Sequence, residues 1–319
     1  MFALNWLKYK MSLIPQYSVV VPVYNSEKTL RELCTRIATS FQKMNATFEI
    51  VLVNDNSTDG SWKVIRELKS EDTRRITGIR LRKNFGQHKA LLCGFQYAQG
   101  EYVVTLDDDL QFFPEDIIIL ADEAKKSGAD LVYGYYKSER QHSSIRKIGS
   151  AFVSFVFEKF GNTSGQGSSY KLIHKSVIEK IKDYNHSFTF LDEILSWHTT
   201  NIAFAEVQHA PRREGKSGYS ILKLVLLTIN LIFGYTTIPL RFMTWFGLTS
   251  FWVCLVFVCY FLYLKMTTGA ELGFTALIVS IFMSTGLILF SLGIIGEYLN
   301  RLFALQHKKP SYLIGEVLR

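Results

Sequence analysis

The chain has 319 residues, of which 48% are hydrophobic, and it carries a formal net charge of +8 at pH 7. This length is sufficient for one large domain with an appendage. The excess of basic charge suits a membrane surface or an anionic substrate. A nucleic-acid binder is disfavoured, because much of this charge flanks apolar segments and the sequence contains no base-reading motif. Four scattered cysteines exclude a disulfide framework and indicate a reducing compartment.

The first sixteen residues are predicted to be an N-terminal extension, not a signal peptide. Their apolar run is short, and Lys8 and Lys10 interrupt it. Met11 is a second plausible start, so the sequence leaves open whether Met1 or Met11 is native.

Residues 17–219 alternate between apolar runs and amphipathic stretches. The pattern predicts strands at Tyr17–Val23, 48–53, Ile76–Leu81, 102–106 and 130–135. It predicts helices at 26–44, with Ser26 as a possible N-cap, and at 59–69, 86–99 and 114–126. Such alternation is typical of an α/β domain with a mostly parallel sheet covered on both faces. Right-handed crossovers then place the loops after the parallel strands at one edge.

The composition changes near residue 220. Residues 242–264 and 272–296 contain no charged side chain over 23 and 25 positions, and each run is long enough to cross ~30 Å of hydrocarbon. We therefore predict two transmembrane helices within 242–296. Residues 220–241 are predicted to form an interfacial amphipathic helix, with a third crossing by 224–240 as the alternative. Residues 297–319 are predicted to be a cytoplasmic C-terminal tail.

Basic residues flank the two uncharged runs. Five lie before the first run, and four lie after the second: Arg212, Arg213, Lys216, Lys223 and Arg241, then Arg301, Lys308, Lys309 and Arg319. The connection between the runs contains only Lys265 and Glu271 as charged residues. The positive-inside rule therefore predicts a multi-pass protein of the inner (plasma) membrane, with the catalytic domain and both termini in the cytoplasm.

Three consecutive aspartates, Asp107, Asp108 and Asp109, follow the fourth predicted strand. Adjacent carboxylates repel one another, so their clustering indicates a bound cation, and hard oxygen ligands suit Mg²⁺ or Mn²⁺. Because alternate residues of an extended strand share a face, Asp107 and Asp109 are expected to act together while Asp108 points away. A solvated acidic turn is the alternative, and Pro114 at the start of the next helix argues against it.

Polar residues also follow the first and second strands. Pro22, Tyr24, Asn25 and Glu27 lie at the end of the first strand, where an aromatic ring could stack on a base. Asp55 follows the second strand and could accept a hydrogen bond from a base or ribose, whereas Asp59 is expected to cap the next helix.

A basic loop follows the third strand and opens a helix in LRKNFGQHK, residues 81–89. Cations and a helix N-terminus both attract phosphate, although a solvated basic loop is as consistent with the pattern. His88 is expected on the helix surface.

The ordered set VVVPVYN (19–25), VNDNSTDG (53–60), LRKNFGQ (81–87) and LDDDLQ (106–111) resembles family 2 glycosyltransferases with the A-type, Rossmann-like nucleotide-sugar fold. Within them it resembles the polyprenyl-phosphate glycosyltransferases, and REGKSGY (213–219) is similar to a loop of that group. The resemblance implies inverting transfer of a sugar from a nucleotide-diphosphate sugar, UDP favoured, to dolichyl or undecaprenyl phosphate. The product would serve cell-envelope glycan or lipid modification.

The resemblance also implies residue roles. It assigns the nucleotide to Pro22, Tyr24, Asn25, Glu27, Asp55 and Asp107. Asp109 and Asp107 would hold Mg²⁺ or Mn²⁺, and Gln111 would contact the metal, the sugar or the acceptor phosphate. Arg213, with Lys216 and Ser217, would bind the acceptor phosphate. Relatives of this type imply a homotetramer as the oligomeric state.

The chain departs from the family pattern at three positions. Ser26 precedes Glu27 where the family often has a second glutamate, Asn54 replaces a common aspartate, and Gly218 replaces a common lysine. The pair Asp192 and Glu193 lies near the position of a base in other members and is interpreted here as structural or sugar-contacting. Sugar selectivity could reside in Asn54, Ser168, Ser169 and Lys171.

Two other functions fit parts of the sequence. A membrane-anchored enzyme that elongates a polysaccharide or lipid-linked glycan shares the same core, but the QxxRW signature of processive synthases is absent. A non-catalytic nucleotide-sugar-binding membrane protein is the second alternative, and the intact Asp107 and Asp109 argue against it.

Overall fold

The computed structural model describes residues 15–136, 168–182, 191–210, 238–268, 273–306 and 310–319. The chain divides into two compact units. The first comprises Met1–Ser217 together with Lys309–Arg319, and the second comprises Gly218–Lys308. The predicted N-terminal extension up to residue 14, the loop bearing Arg213, Lys216 and Ser217, and residues 220–237 of the predicted interfacial helix lie outside the described residues.

The first unit is built on an eight-stranded sheet in the order β7-β5-β6-β4-β1-β2-β3-β8. Its strands are β1 Tyr17–Val23, β2 Phe48–Asn54, β3 Ile76–Leu81, β4 Tyr102–Thr105, β5 Leu131–Tyr135, β6 Lys171–His174, β7 Ile202–Glu206 and β8 Ile314–Leu318. The described helices of this unit are α1 Leu30–Lys43, α2 Ser61–Glu71, α3 Gln87–Phe95, α4 Ile117–Ser127, α5 Lys175–Ile181 and α6 Leu191–His198. A single 3₁₀ turn, Pro114–Asp116, precedes α4.

Most neighbouring strands of the sheet run parallel, which confirms the predicted α/β class. β1 pairs in parallel with both β2 and β4, and β2 pairs in parallel with β3. The exceptions are β6, antiparallel to β4 and β5, and β8, antiparallel to β3. The carboxyl ends of β1, β2, β3 and β4 therefore lie at the same edge of the sheet, where open α/β sheets bind ligands.

Apolar layers cover both faces of the sheet. Val19 and Val21 of β1 pack in the layer formed with α1, α2 and α4, whereas Val20 packs in the layer formed with α3, α5 and α6. Successive strand residues point to opposite faces, so a strand buried on both sides must be apolar throughout. This is why Tyr17–Val23 contains no charged residue.

Pro22 lies inside a central strand, a position that proline rarely occupies. β4 pairs with β1 only from Tyr17 to Val20, and Val20 turns its carbonyl to β4 by accepting the Leu106 N–H at 3.3 Å. Pro22, two residues on, faces the same side beyond the end of that ladder. Its missing N–H therefore removes no sheet hydrogen bond.

The second unit contains two long helices, α7 Ile238–Thr268 and α8 Phe274–Gln306. α7 begins at Ile238, so the end of the predicted interfacial segment belongs to this helix, with Pro239 in its first turn, where proline is tolerated. α8 continues to Gln306, beyond the predicted end at residue 296. Judged on the described residues, no helix combines the length and apolarity that a membrane span requires.

The C-terminal residues do not form the separate tail that the sequence predicted. Residues 314–318 form β8, which extends the sheet of the first unit by pairing with β3. The register joins Gly78 to Leu318 and Arg80 to Glu316. The chain therefore leaves the first unit, forms the second unit and returns to the sheet where it began.

Candidate active site at the carboxyl edge of the sheet

Asp108 joins the loop after β4 to the loop after β1. Its Oδ2 accepts the Tyr24 N–H at 2.9 Å and the Ser26 hydroxyl, while its carbonyl accepts the Thr29 hydroxyl at 2.6 Å. Asp108 has different partners from Asp107 and Asp109, and its side chain holds two loops of the site together, a role that the sequence did not predict. Ser26 is likewise not an N-cap, since α1 begins at Leu30 and the Ser26 hydroxyl is committed to Asp108.

The environment of Asp108 disfavours its charge. Burial raises the pKa of this carboxyl to about 6; the hydrogen bonds from Ser26 and Tyr24 oppose the rise, and the neighbouring Asp107 and Asp109 add to it. All three carboxylates keep partial exposure to solvent, and the middle one is also hydrogen-bonded by the loop after β1; together these make the acidic cluster tolerable.

Asp107 and Asp109 diverge from Asp108 at a strained turn. Leu110 adopts φ 59°, a left-handed conformation that is uncommon for a residue other than glycine. Asp109 Oδ1 accepts the Gln111 N–H at 3.1 Å, and Asp107 Oδ1 accepts the Gln87 side-chain amide at 2.5 Å. Asp107 is therefore oriented toward the start of α3, in the basic loop that the sequence singled out.

His209 is a site residue that the sequence did not reveal. It forms an isolated bridge with Phe112, and its ring stacks on Tyr136 with centroids 3.9 Å apart. Burial lowers the pKa of His209, and the charge of Asp109 partly opposes that shift. No local motif marks this histidine, because the contacts that bring it to the aspartate loop come from residues about 100 positions earlier.

Asp55 fastens the basic loop to the end of β2. Its two oxygens accept the N–H groups of Phe85 and Gly86, each at 2.7 Å. Burial raises the pKa of Asp55, and these two backbone hydrogen bonds oppose the rise. Gly86 has φ 92°, which a side chain would disfavour. Each carboxylate oxygen of Asp55 thus already accepts one hydrogen bond from the loop. The predicted contact with a base or ribose requires a second hydrogen bond to one of these oxygens.

Asn25 and Glu27 fasten the loop after β1 to the loop after β2. Asn25 Oδ1 accepts the Thr58 N–H at 2.8 Å, and Glu27 Oε2 accepts the Gly60 N–H at 3.0 Å. Asp59 accepts from Glu27 N and from Ser61 N. It contacts the first residue of α2, but the N-cap is Gly60 and not Asp59 as predicted. The nucleotide roles of Asn25 and Glu27 stay predictions.

Tyr24 and Pro22 occupy opposite environments. The Tyr24 side chain is 49% exposed at the rim of the site, where a ring can stack on a base. Pro22 is buried within β1.

Asn54, at the end of β2, is also fully buried. Its Oδ1 accepts the Ser57 N–H at 2.7 Å, and its Nδ2 has no hydrogen-bond partner among the described residues.

A buried ion pair lies in the layer beneath the site. Lys171 Nζ is 3.0 Å from Asp192 Oδ1, and the Tyr133 hydroxyl donates to the same oxygen at 3.0 Å. Lys171 is 2% exposed, so it is committed to this pair, and the expectation that it selects the sugar is not supported by its position. Asp192 is structural, in line with one of the two predicted roles.

His88 and Glu193 adjoin this ion pair. Burial, followed by the charge of Lys171, lowers the pKa of His88 to about 4, and His88 Nδ1 accepts the Leu191 N–H at 3.4 Å. His88 is therefore half-buried against α6 and not on the open helix surface that the sequence predicted. Glu193 Oε1 accepts from Trp197, its Oε2 has no hydrogen-bond partner among the described residues, and burial raises its pKa.

The described residues contain no group of three or more histidine, cysteine, aspartate or glutamate side chains arranged to hold a metal ion. The structure does bring Tyr24, Asp107, Asp109 and Gln111 to one edge of the sheet. Arg213, Lys216 and Ser217 lie outside the residues that it describes, so their predicted contact with an acceptor phosphate is untested.

A mostly parallel sheet that brings an acidic turn after β4 beside a basic loop after β3 is the arrangement implied by the resemblance to glycosyltransferases. Residues 18–182 match the family described as "Glycosyl transferase family 2". The protein belongs to this family.

Curated relatives align over nearly the whole chain. A protein of Aeromonas hydrophila is 31% identical over 95% of this chain and 94% of its own length. A protein of Pseudomonas aeruginosa is 32% identical over 95% of this chain and 90% of its own length. Both are named undecaprenyl-phosphate 4-deoxy-4-formamido-L-arabinose transferase. The resemblance to polyprenyl-phosphate glycosyltransferases is confirmed.

Solved structures are more distantly similar. Glucosyl-3-phosphoglycerate synthase from Mycobacterium tuberculosis, in complex with Mg²⁺ and UDP, has a TM-score of 0.49 and 18% identity over 69% of this chain and 77% of its own. S. aureus TarS in complex with UDP-GlcNAc has a TM-score of 0.47 and 22% identity, covering 68% of this chain and 65% of its own. Neither similarity is close enough to inform the substrate.

Proposed function

We propose that this protein transfers a sugar from a nucleotide-diphosphate sugar to undecaprenyl phosphate, with inversion at the anomeric carbon. One observation carries the proposal. Asp107 and Asp109 emerge together at the carboxyl edge of the sheet, held there by Asp108 and next to a basic loop. The names of relatives that span the whole chain support the acceptor.

The donor nucleotide is proposed to lie over the loops after β1, β2 and β3. Tyr24 is exposed for stacking on the base, and Asn25, Glu27 and Asp55 hold the three loops in a fixed relation through backbone hydrogen bonds. The N-terminus of α3 and the basic residues before it favour the diphosphate. UDP is the proposed nucleotide, by resemblance.

A divalent cation fits the oxygen donors of this site. Asp107 and Asp109 present carboxylates close to Gln111, whose backbone N–H donates to Asp109, and hard oxygens of this kind suit Mg²⁺ or Mn²⁺. Asp109 and Asp107 would hold the ion, with Gln111 near it. When bound, such an ion supplies neutralisation of the charge that develops on the leaving nucleoside diphosphate.

The acceptor phosphate needs no strong base. A phosphate monoester has its second pKa near ~6, so it is already nucleophilic at neutral pH. Arg213, Lys216 and Ser217 are proposed to bind it. The carboxylate of Asp192 is already engaged by Lys171 and by the Tyr133 hydroxyl, so no base role is assigned to it.

The protein is proposed to act at the cytoplasmic face of the plasma membrane. The sequence supports two membrane-spanning segments, since 242–264 and 272–296 are uncharged. The return of β8 to the sheet of the first unit supports an even number of crossings, because β8 shares that sheet with the strands β1–β7 that precede the second unit. Two crossings meet this condition; a third by 224–240 does not. The homotetramer stays a prediction from resemblance.

Purified protein supplied with undecaprenyl phosphate and labelled UDP-sugars tests the proposal. The first donor to test is UDP-linked 4-deoxy-4-formamido-L-arabinose, the sugar in the names of the relatives. Label is expected to enter the lipid fraction and to be lost with EDTA. If no nucleotide sugar labels the lipid while one labels a polysaccharide, the elongating enzyme is the better account.

A further inference from the structure

The C-terminal ten residues contact the basic loop from the side opposite to Asp55. β8 pairs with β3 up to Leu81, opposite Ile314. Beyond that point the Arg82 N–H donates to the Leu313 carbonyl at 2.9 Å, and the Arg82 side chain donates to the Ile314 carbonyl at 3.4 Å. The C-terminal chain therefore continues alongside the first residue of the loop.

The same segment packs against the helix that follows the loop. Tyr312 lies in the apolar layer with α3, and burial, with smaller contributions from Cys93 and Tyr97, raises its pKa to about 12. The Arg319 guanidinium lies 5.0 Å from the centre of the Tyr97 ring. Residues 310–319 thus contact the loop directly at its start, Arg82, and pack at the C-terminal end of α3, the helix into which the loop leads.

The loop that is held in this way leads directly to the acidic turn. Asp55 accepts from Phe85 and Gly86, and the next residue, Gln87, donates to Asp107. A loop fixed at Arg82 by the C-terminal chain and at residues 85–86 by Asp55 has little freedom to move Gln87. Without β8, β3 would be an unpaired edge strand, and the start of the loop would lose its outer support.

We propose that residues 310–319 form a positioning element for the donor-binding loop 82–87, so that the chain returning from the second unit sets the geometry at Asp107. This inference rests on the proposed function for the identity of the donor, although the positioning itself does not. The segment touches neither the reacting atoms nor the nucleotide, and it acts through Arg82.

Two changes at Ile314 test the proposal in the full-length protein. Ile314→Pro disturbs the pairing next to the loop, and Ile314→Gly is a gentler change that keeps the N–H. Leu318→Ala is the matched control, because it removes apolar contacts at the far end of β8, opposite Gly78. Thermal unfolding measures the loss of stability in each variant.

Amide hydrogen exchange of the peptide spanning residues 82–90 is the deciding readout. We expect exchange about tenfold faster in the Ile314 variants and an apparent KM for the nucleotide sugar raised about fivefold, with KM for the lipid acceptor unchanged. Leu318→Ala is expected to leave both within about twofold at a comparable loss of stability.

Unchanged exchange in both Ile314 variants would overturn the proposal. Equal changes in Leu318→Ala and Ile314→Gly would also overturn it, because β8 would then contribute only to stability. Should the wild-type protein transfer no sugar, the exchange data still decide the positioning role, so the two failures remain distinguishable.

Discussion

The backbone N–H of Tyr24 donates to the carboxylate of Asp108 at 2.9 Å, across 84 residues of sequence. This bond joins the rim where a nucleotide base is proposed to stack to the acidic turn where its diphosphate is proposed to lie. Because the Ser26 hydroxyl donates to the same carboxylate, the middle aspartate organises the site for its two neighbours.

Gly60 is required by the Glu27 carboxylate. A Cβ at Gly60 would lie 2.4 Å from Glu27 Cδ, so Gly60→Ala is expected to displace this flexible side chain and break its bond to the Gly60 N–H. We predict that Gly60→Ala raises KM for the nucleotide sugar as much as Glu27→Ala does, in steady-state kinetics.

The double variant provides the control for Gly60. If both changes act through one contact, Gly60→Ala with Glu27→Ala is no worse than either single change. Additive effects would show that Glu27 and Gly60 act independently.

Removing one charge of the buried ion pair is predicted to destabilise the protein more than removing both charges. Lys171→Met leaves the Asp192 charge buried without its cation, which is expected to cost about 3–5 kcal/mol of stability. Lys171→Met with Asp192→Leu removes both charges and is expected to recover part of that loss. Chemical denaturation of the three proteins measures it, and a double variant less stable than Lys171→Met would contradict the prediction.

His88 is predicted to make stability fall with acidification. Its folded pKa of about 4 lies below its ordinary value of 6.5, so between these values the unfolded chain takes up a proton that the folded protein does not. Stability is therefore full above about pH 6.5 and decreases as pH falls to about 4. Thermal unfolding across this window should show a shallower slope for His88→Gln; identical slopes would assign the effect elsewhere.

Arg213 is predicted to serve the acceptor. Arg213→Ala is expected to raise the apparent KM for polyprenyl phosphate about tenfold while leaving KM for the nucleotide sugar nearly unchanged, because it removes one cationic contact to phosphate. Arg213→Lys, which keeps the charge, is expected to raise the KM for polyprenyl phosphate less than Arg213→Ala does. A change confined to the donor KM would place Arg213 on the donor side.

Local patterns predicted the central sheet well. The strands β1 and β3 have their predicted bounds, and β2, β4 and β5 differ by one residue at one end. These strands are buried on both faces and read as continuous apolar runs. The strands missed were β6, β7 and β8, and the helices α5 and α6 were missed as well. β6 has four residues and contains Lys171, and β8 pairs with a strand more than 230 positions earlier.

The sequence predicted which residues lie at the site better than it predicted the contacts between them. Alternation along the strand singled out Asp107 and Asp109, but it could not show that Asp108 would bind the loop after β1. The half-buried position of His88 likewise depends on its contact with Leu191, about 100 residues later. Such contacts join distant segments, so no local spacing encodes them.

Sugar transfer by Asp109→Asn tests the central claim most directly. Purified wild type, Asp109→Asn and the exposed control Asp122→Asn on α4 are compared with labelled nucleotide sugar and undecaprenyl phosphate. The account predicts metal-dependent transfer by wild type and control, and at least a hundredfold (~10²) loss in Asp109→Asn, with the same thermal unfolding and membrane fraction as the wild type. Transfer by Asp109→Asn at the wild-type rate would contradict it.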